Sequence, residues 1–260
     1  MNILEKIIAQ KRIEVEQRKK IKTVQQLERG EFYKKETLSF KEYLLRKDKT
    51  GIVAEFKRKS PSKGVINDKA NVKDVTAGYA QYGASALSVL TDEEFFGGSL
   101  NDLQEATNNA VPILRKDFII DEYQLIESKS YGAGVILLIA ACLSIEDVKK
   151  LSSFAKNTGL NVLLEIHNED ELEHICNDID VVGVNNRDLK TFTVDINRSV
   201  ELGKLIPAGM VKISESGIDE PASIKLLREY GYNGFLIGEK FMKHTNPTIA
   251  FAQFAEQLKT

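Results

Sequence analysis

Residues 52–64 read IVAEFKRKSPSKG. A short apolar run, IVAEF, passes without a break into a loop of lysines, an arginine, serines, a proline and a glycine. A basic cluster of this kind suits nucleic acid or a localisation signal. It equally suits the end of a buried strand and its adjoining loop. The rest of the chain decides between them, because the apolar run recurs: ALSVL (86–90), VPILR (111–115), VILLIA (135–140), VLLEI (162–166), VVGVN (181–185), MVKIS (210–214) and GFLIG (234–238). Each is five or six residues long and rich in Val, Ile and Leu, the pattern of strands buried on both faces of a parallel sheet.

Helical stretches lie between the runs: 72–82, 100–109, 122–131, 145–156 and 221–230. Caps are expected at Ser144, at Asn168 with Glu171 three residues on, and at Asp219. Glycine turns (YGA, YGAG, GYNG) precede the second, fourth and eighth runs. Eight βα units in sequence predict an α/β fold, a TIM (β/α)8 barrel. A doubly wound sheet would carry G-x-G-x-x-G after its first strand, and none follows Phe56. Ile3, Leu4, Ile7 and Ile8 recur at helical spacing, and a second helical stretch covers about Ser39 to Lys47. The expectation is one domain over 1–260, with a helical extension over 1–48 and the barrel over 49–260.

Net charge is −2 over 260 residues, which excludes a general polyanion binder. The charge is uneven: residues 1–50 hold 14 Lys/Arg against 8 Asp/Glu. A solvated helical face accounts for that excess, so no nucleic-acid partner is expected. Cys142 and Cys176 form no C-x-x-C pair and no disulfide framework. Charges interrupt the N-terminal apolar residues, unlike a signal peptide. The longest apolar run, Val135 to Leu143, is nine residues, against about twenty for a membrane span. A cytoplasmic protein with no membrane partner is expected.

In a TIM barrel the site lies at the C-terminal ends of the strands. Those ends carry Glu55 and Lys57, Lys116, Glu165, Asn185 and Arg187, then Glu215, Ser216 and Gly217, and finally Gly238. Strand interiors are otherwise apolar, and a charge there is costly unless paired. One such residue would be an ordinary rim ion pair. Charges at five strand ends, facing one mouth, point to acid–base chemistry. ESGI (215–218) and IGEKFM (237–242) place glycines in the loops after strands 7 and 8, where barrels bind phosphate. Ser60 to Gly64 reads as a loop able to close over such a ligand. His167, His174 and His244 have no metal-ligand spacing, so no metal is expected. Cys142 and Cys176 read as packing residues, Arg58 and Lys59 as rim charges. Asp117 and Asp188 have no assigned role.

The stretches IVAEFKRKSPSKG, LSVLTDEEFFGGS, PILRKDFIID, VLLEIHNEDEL, VGVNNRDLKTF, ISESGI and LIGEKFM, in this order, resemble the motifs of the indole-3-glycerol-phosphate synthases. The resemblance spans roughly 50–245, and the helical extension is similar too. It implies a lyase of tryptophan biosynthesis acting without cofactor or metal. The substrate is the small phosphorylated molecule 1-(2-carboxyphenylamino)-1-deoxyribulose 5-phosphate; the products are indole-3-glycerol phosphate, CO2 and water. Other enzymes of the pathway are possible partners. By resemblance Lys116 is the general acid at the ribulose carbonyl, and Glu165 handles later proton transfers and dehydration. Lys57 and Glu55 support the acid–base network, and Asn185 orients substrate. Ser60, Ser216, Gly217 and Gly238 contact phosphate, with Glu215 among the substrate contacts. Phe96 and Phe118 wall the anthranilate ring, and Arg187 is a charged support. Glu239 stands where some relatives have serine, and its side chain is expected to point away from the phosphate.

Three alternatives stay open on the residues alone. A class I aldolase would form a Schiff base on Lys116 or Lys212. The neighbouring isomerase of the pathway resembles a barrel with a cysteine base at the end of strand 1, where this chain has Glu55 and Lys57. A non-catalytic binder of sugar phosphate or nucleic acid would use the basic N-terminus.

Overall fold

All eight apolar runs become strands in the structure, a computed structural model that describes residues 2–258. They are β1 Ile52–Phe56, β2 Ala86–Leu90, β3 Ile113–Lys116, β4 Val135–Ile139, β5 Asn161–Ile166, β6 Val181–Asn185, β7 Val211–Glu215 and β8 Gly234–Ile237. Each pairs in parallel with its sequence neighbours, and β8 pairs with β1 to close the barrel. β3 starts two residues later than the apolar run, because Pro112 has no N–H for the ladder; its carbonyl still accepts from Leu87 N–H at 2.9 Å. The predicted TIM barrel is the fold.

The helices are α1 Ile3–Ile21, α2 Val24–Glu28, α3 Phe40–Leu45, α4 Val72–Gln81, α5 Leu100–Ala106, α6 Glu122–Ser130, α7 Ile145–Asn157, α8 Asn197–Leu205, α9 Pro221–Glu229, α10 Glu239–Met242 and α11 Pro247–Gln257. The Ser144 cap is present, as a capping box with Asp147. Two cap expectations need correction. Asn168 does accept from Glu171 N–H at 3.2 Å, but it starts a single 3-10 turn, Asp170–His174, not an α-helix. α9 is capped at Glu220, not Asp219, and by no side chain; Pro221 at its first position carries no N–H to satisfy.

Strand periodicity divides the core in two. Ile52, Ala54, Leu87, Val89, Leu138, Leu164 and Val184 face outward and pack under the helices. Val53, Ala86, Leu114, Leu137, Leu163, Val181, Ile213 and Leu236 face inward and fill the barrel. α3 supplies Phe40 and Leu44 to this inner cluster. Its backbone is fixed at the start of β5, where Phe40 N–H donates to Asn161 Oδ1 at 3.1 Å. α3 therefore plugs the N-terminal end of the barrel. α1 lies at the opposite end, with Ile7, Lys11 and Val15 buried. It is tied to α6 by Arg18–Glu127 at 3.1 Å and by Tyr123 Oη donating to the carbonyls of Arg18 and Lys22.

Candidate active site

The alternation that points Val53, Leu114, Leu163, Val181 and Ile213 inward repeats every second residue. It delivers Glu55, Lys116, Glu165, Asn185 and Glu215 to the inner face at the C-terminal strand ends. Register brings the groups level: Ile139 pairs with Glu165, Glu165 with Gly183, and Asn185 with Glu215. A Cβ at position 183 would collide with Glu215 Oε1, so glycine there makes room for that carboxylate.

Lys116 Nζ lies 3.0 Å from Glu165 Oε2 and 3.7 Å from Glu215 Oε2. Asn185 Nδ2 donates to the other Glu165 oxygen at 3.1 Å, while its own Oδ1 accepts from Arg187 N–H at 3.0 Å. Lys57 Nζ sits 2.5 Å from Glu55 Oε1. His167 adds imidazole contacts, with Nε2 3.3 Å from Glu165 Oε1 and Nδ1 3.3 Å from Glu171 Oε2.

These contacts set the protonation states. Burial opposes charge on Lys116, but Glu165, Glu215 and Glu55 outweigh it and hold the ammonium protonated well above the usual lysine range. Burial also opposes charge on Glu165, yet Lys116, His167 and Asn185 hold it ionised. Glu215 goes the other way: burial and the neighbouring Glu165 charge raise it, and Lys116 only partly compensates. His167 loses solvation but is pushed up to about 9 by Glu165 and Glu171. The mouth thus pairs an ionised carboxylate with a carboxyl group that favours its neutral form, around one fixed ammonium.

One cavity at this end is lined by Glu55, Lys57, Ser60, Phe96, Lys116, Phe118, Glu165, Asn185, Arg187, Glu215 and Ser216. Gly217 and Gly238 are the two expected site residues that do not line it. A Cβ at 238 would lie 2.5 Å from Glu55 Oε1, so that glycine is required by the close approach of Glu55. Ser216 (φ 68°) and Phe192 (φ 60°) are the non-glycine residues in left-handed backbone among the described residues, and both line the cavity. Such a conformation costs about 1–3 kcal/mol and concentrates at ligand sites. The Phe96 and Phe118 rings stand 6.1 Å apart with planes tilted by 40°.

The basic loop is spoken for. Lys57 pairs with Glu55, Arg58 grips Asp102 with two hydrogen bonds of 2.6 and 2.9 Å, and Lys59 donates to the Glu94 carbonyl at 2.5 Å. Arg58 and Lys59 are therefore not mere rim charges: Arg58 ties the β1 loop to the first turn of α5, and Lys59 ties it to the loop after β2. Lys63 lies 3.3 Å from Glu239 Oε1. The expectation that Glu239 points away is overturned: it lines the cavity, drawn inward by Lys63 and by Arg187 at 3.8 Å. Lys212 is outside the mouth, donating to the carbonyls of Gly203 and Tyr230 among the helices, which removes it as a Schiff-base candidate. The Cys142 thiol is pushed up to about 12 by burial and nearby Glu165 and Glu171, so it is no nucleophile. No group of three or more His, Cys, Asp or Glu side chains is placed to hold a metal ion among the described residues.

Sequence reasoning misses the contribution of α1. Ile3, Leu4 and Ile7 line the cavity. Their helical spacing is visible, but periodicity says which face is apolar and not what it covers. Asp188, to which the sequence assigns no role, accepts from the N–H groups of Lys190 and Thr191 at 2.8 Å each and shapes the loop after β6.

Among solved structures, the α subunit of tryptophan synthase from Legionella pneumophila superposes with a TM-score of 0.61 at 12% identity, covering 85% of this chain and 97% of that one. A mutant tryptophan synthase α subunit from Pyrococcus furiosus gives 0.61 at 15% identity, covering 82% and 98%. At these identities the likeness is one of fold. Sequence relatives say more. A protein named indole-3-glycerol phosphate synthase from Bacteroides thetaiotaomicron is 47% identical over 99% of both chains. One of the same name from a Polaromonas species is 41% identical over 97% of both. The family profile described as "Indole-3-glycerol phosphate synthase" matches residues 4–254. With that match running from α1 through the whole barrel, the chain belongs to the indole-3-glycerol phosphate synthase family, carboxy-lyases of tryptophan biosynthesis.

Proposed function

We propose that ring closure, decarboxylation and dehydration of 1-(2-carboxyphenylamino)-1-deoxyribulose 5-phosphate take place between Lys116 and Glu165, in the cavity walled by Phe96 and Phe118. The observation that carries this reading is the Lys116 ammonium held between Glu165 and Glu215 on the inner face of the barrel. A carbonyl needs positive charge at its oxygen before an aryl carbon can attack it. A fixed ammonium in a partly dry site supplies that charge without reorganising solvent.

In the proposed sequence, the aryl carbon bearing the carboxylate bonds to the ribulose carbonyl carbon as Lys116 donates a proton to the oxygen. The C–CO2 bond then breaks and its electron pair restores the aromatic ring. Lys57 gives the new hydroxyl a second proton so that it departs as water, and Glu165 takes the proton from the carbon beside nitrogen whose loss completes the indole. Asn185 keeps Glu165 oriented, and Glu55 holds Lys57 toward the substrate. Glu215, kept neutral, spares the mouth a further negative charge. Phe96 and Phe118 hold the aryl ring flat against the carbonyl carbon, which supplies proximity. Ser60, Ser216 and Arg187 take the phosphate, with Gly217 and Gly238 shaping the loops behind it. Phosphate then competes with Glu239 for Arg187 and Lys63.

On this reading the extension and the barrel act as one domain, because α1 completes the wall of the site. The chain works in the cytoplasm, and other enzymes of tryptophan biosynthesis are its candidate partners. Lys116→Ala and Glu165→Gln are expected to lower turnover by about 10²–10⁴ while the variants stay folded. Near-wild-type turnover in either variant removes that residue from its role. Borohydride is expected to trap no substrate on Lys116; substrate-dependent trapping would favour the Schiff-base alternative.

A further inference from the structure

Lys11 is the charged side chain of α1 that is almost wholly buried, at 1% exposure. Its ammonium lies 2.9 Å from Asp92 Oδ2, 2.9 Å from Asp117 Oδ1 and 2.8 Å from Glu14 Oε2. Burial opposes that charge, and Asp117, Asp92 and Glu14 outweigh it. Asp92 and Asp117 are themselves buried and lie just past the adjacent strands β2 and β3. Each holds the start of a loop: Asp92 Oδ1 accepts from Phe95 N–H at 2.8 Å, and Asp117 Oδ1 from Phe118 N–H at 2.8 Å. The first loop continues into Phe96 and the second begins with Phe118, whose rings touch each other, 6.1 Å between centroids, and together line the cavity.

We propose that Lys11 is a positioning residue that keeps Phe96 and Phe118 together as one aromatic wall of the cavity, by clamping the Asp92 and Asp117 carboxylates that hold their loops. The proposal rests on the reading that these rings wall the aryl group of the substrate. Arg115 and Thr91 neutralise and bond the far oxygen of Asp117. Among the described residues Asp92 has no ion pair other than Lys11. Removing the Lys11 charge leaves two buried carboxylates converging with one cation serving only Asp117. Their repulsion in a poorly solvated site moves the two loops apart. The phosphate end, built from the β1, β6, β7 and β8 loops, contains neither carboxylate. The clamp therefore acts chiefly on the aryl end of the substrate; the Lys59 hydrogen bond to the Glu94 carbonyl is a tie through which the β1 loop feels it.

The test measures kcat/KM for the carboxyphenylamino-deoxyribulose phosphate and, separately, the inhibition constant of inorganic phosphate. Both are read in Lys11→Met, in the double variant Lys11→Met/Asp92→Asn, and in Phe118→Ala. An aromatic wall displaced by about 1 Å lowers kcat/KM by about 10²-fold in Lys11→Met. Phosphate inhibition is expected to change by less than about tenfold, and Asp92→Asn, which removes the repulsion, to recover a large part of the loss in kcat/KM. If Lys11→Met does not fold, the charge-relieved double variant alone carries the test, with a smaller loss in kcat/KM and a still smaller change in phosphate inhibition expected. Wild-type kcat/KM in the folded variant, or phosphate inhibition weakened in the same proportion, overturns the proposal. Phe118→Ala separates the two levels. If it lowers kcat/KM while the Lys11 variants do not, only the clamp fails; if it leaves kcat/KM intact, the aromatic wall fails and the clamp with it.

Discussion

Glu215 and its neighbour Lys116 can be tested at the level of protons. Glu215 is pushed up to about 8, from an ordinary 4.5, by burial and by the charge of Glu165. A carboxyl group whose folded pKa is raised binds its proton more tightly in the fold than in the unfolded chain. Its stabilising contribution is full below about pH 4.5 and is lost as pH rises toward 8. Glu215→Gln keeps the neutral shape and cannot ionise. The melting temperature of wild type is therefore expected to fall relative to Glu215→Gln as pH goes from 5 to 8. A constant difference across that range would show that Glu215 titrates normally. Most of the mouth is legible in the sequence, because strand alternation sends Glu55, Lys116, Glu165 and Glu215 to one face with no tertiary information. Glu239 is not legible. Its direction depends on Lys63 and Arg187, which come from two other loops. The role of Gly238 escapes the sequence for a related reason: the carboxylate that needs its space, Glu55, lies on a different strand.

At the scale of elements, the strands are readable and the helices' destinations are not. Runs of Val, Ile and Leu announce a buried parallel strand wherever they fall, so all eight appear within a residue or two. α3 can be read as a helix from Ser39 onward, yet nothing in its own spacing says that Phe40 and Leu44 plug the barrel floor. Phe40 is fully buried there. Phe40→Ala is expected to cost about 3–5 kcal/mol of stability by opening a cavity. Turnover at temperatures where the variant stays folded should be unchanged, because the plug lies at the end opposite the charged mouth. Denaturant unfolding and steady-state rates on the same sample check both halves. A lost rate with full stability would mean that the floor is coupled to the site. Capping behaves similarly: the Ser144 box is local and readable, whereas the connection after β5 shortens to a 3-10 turn through Glu171, which also bonds His167 N–H at 2.7 Å.

Across the whole molecule, the uneven charge has a structural meaning. The basic excess of the first fifty residues goes in part into internal pairs: Lys11 with Asp92 and Asp117, Arg18 with Glu127, Lys19 with Asp121. These bind α1 over the barrel end that carries the site. The basic loop after β1 is likewise paired with Glu55, Asp102 and Glu239. No helix is long and apolar enough to cross a membrane among the described residues. The proposed ring closure at this mouth uses acid–base chemistry from the protein's own side chains, with Lys116 between Glu165 and Glu215. The most direct measurement adds the carboxyphenylamino-deoxyribulose phosphate to the purified protein in buffer containing EDTA and tracks indole fluorescence. A rise at a rate unaffected by EDTA is the predicted result. No rise from folded protein that still binds the substrate, or a rise that EDTA abolishes, would contradict it.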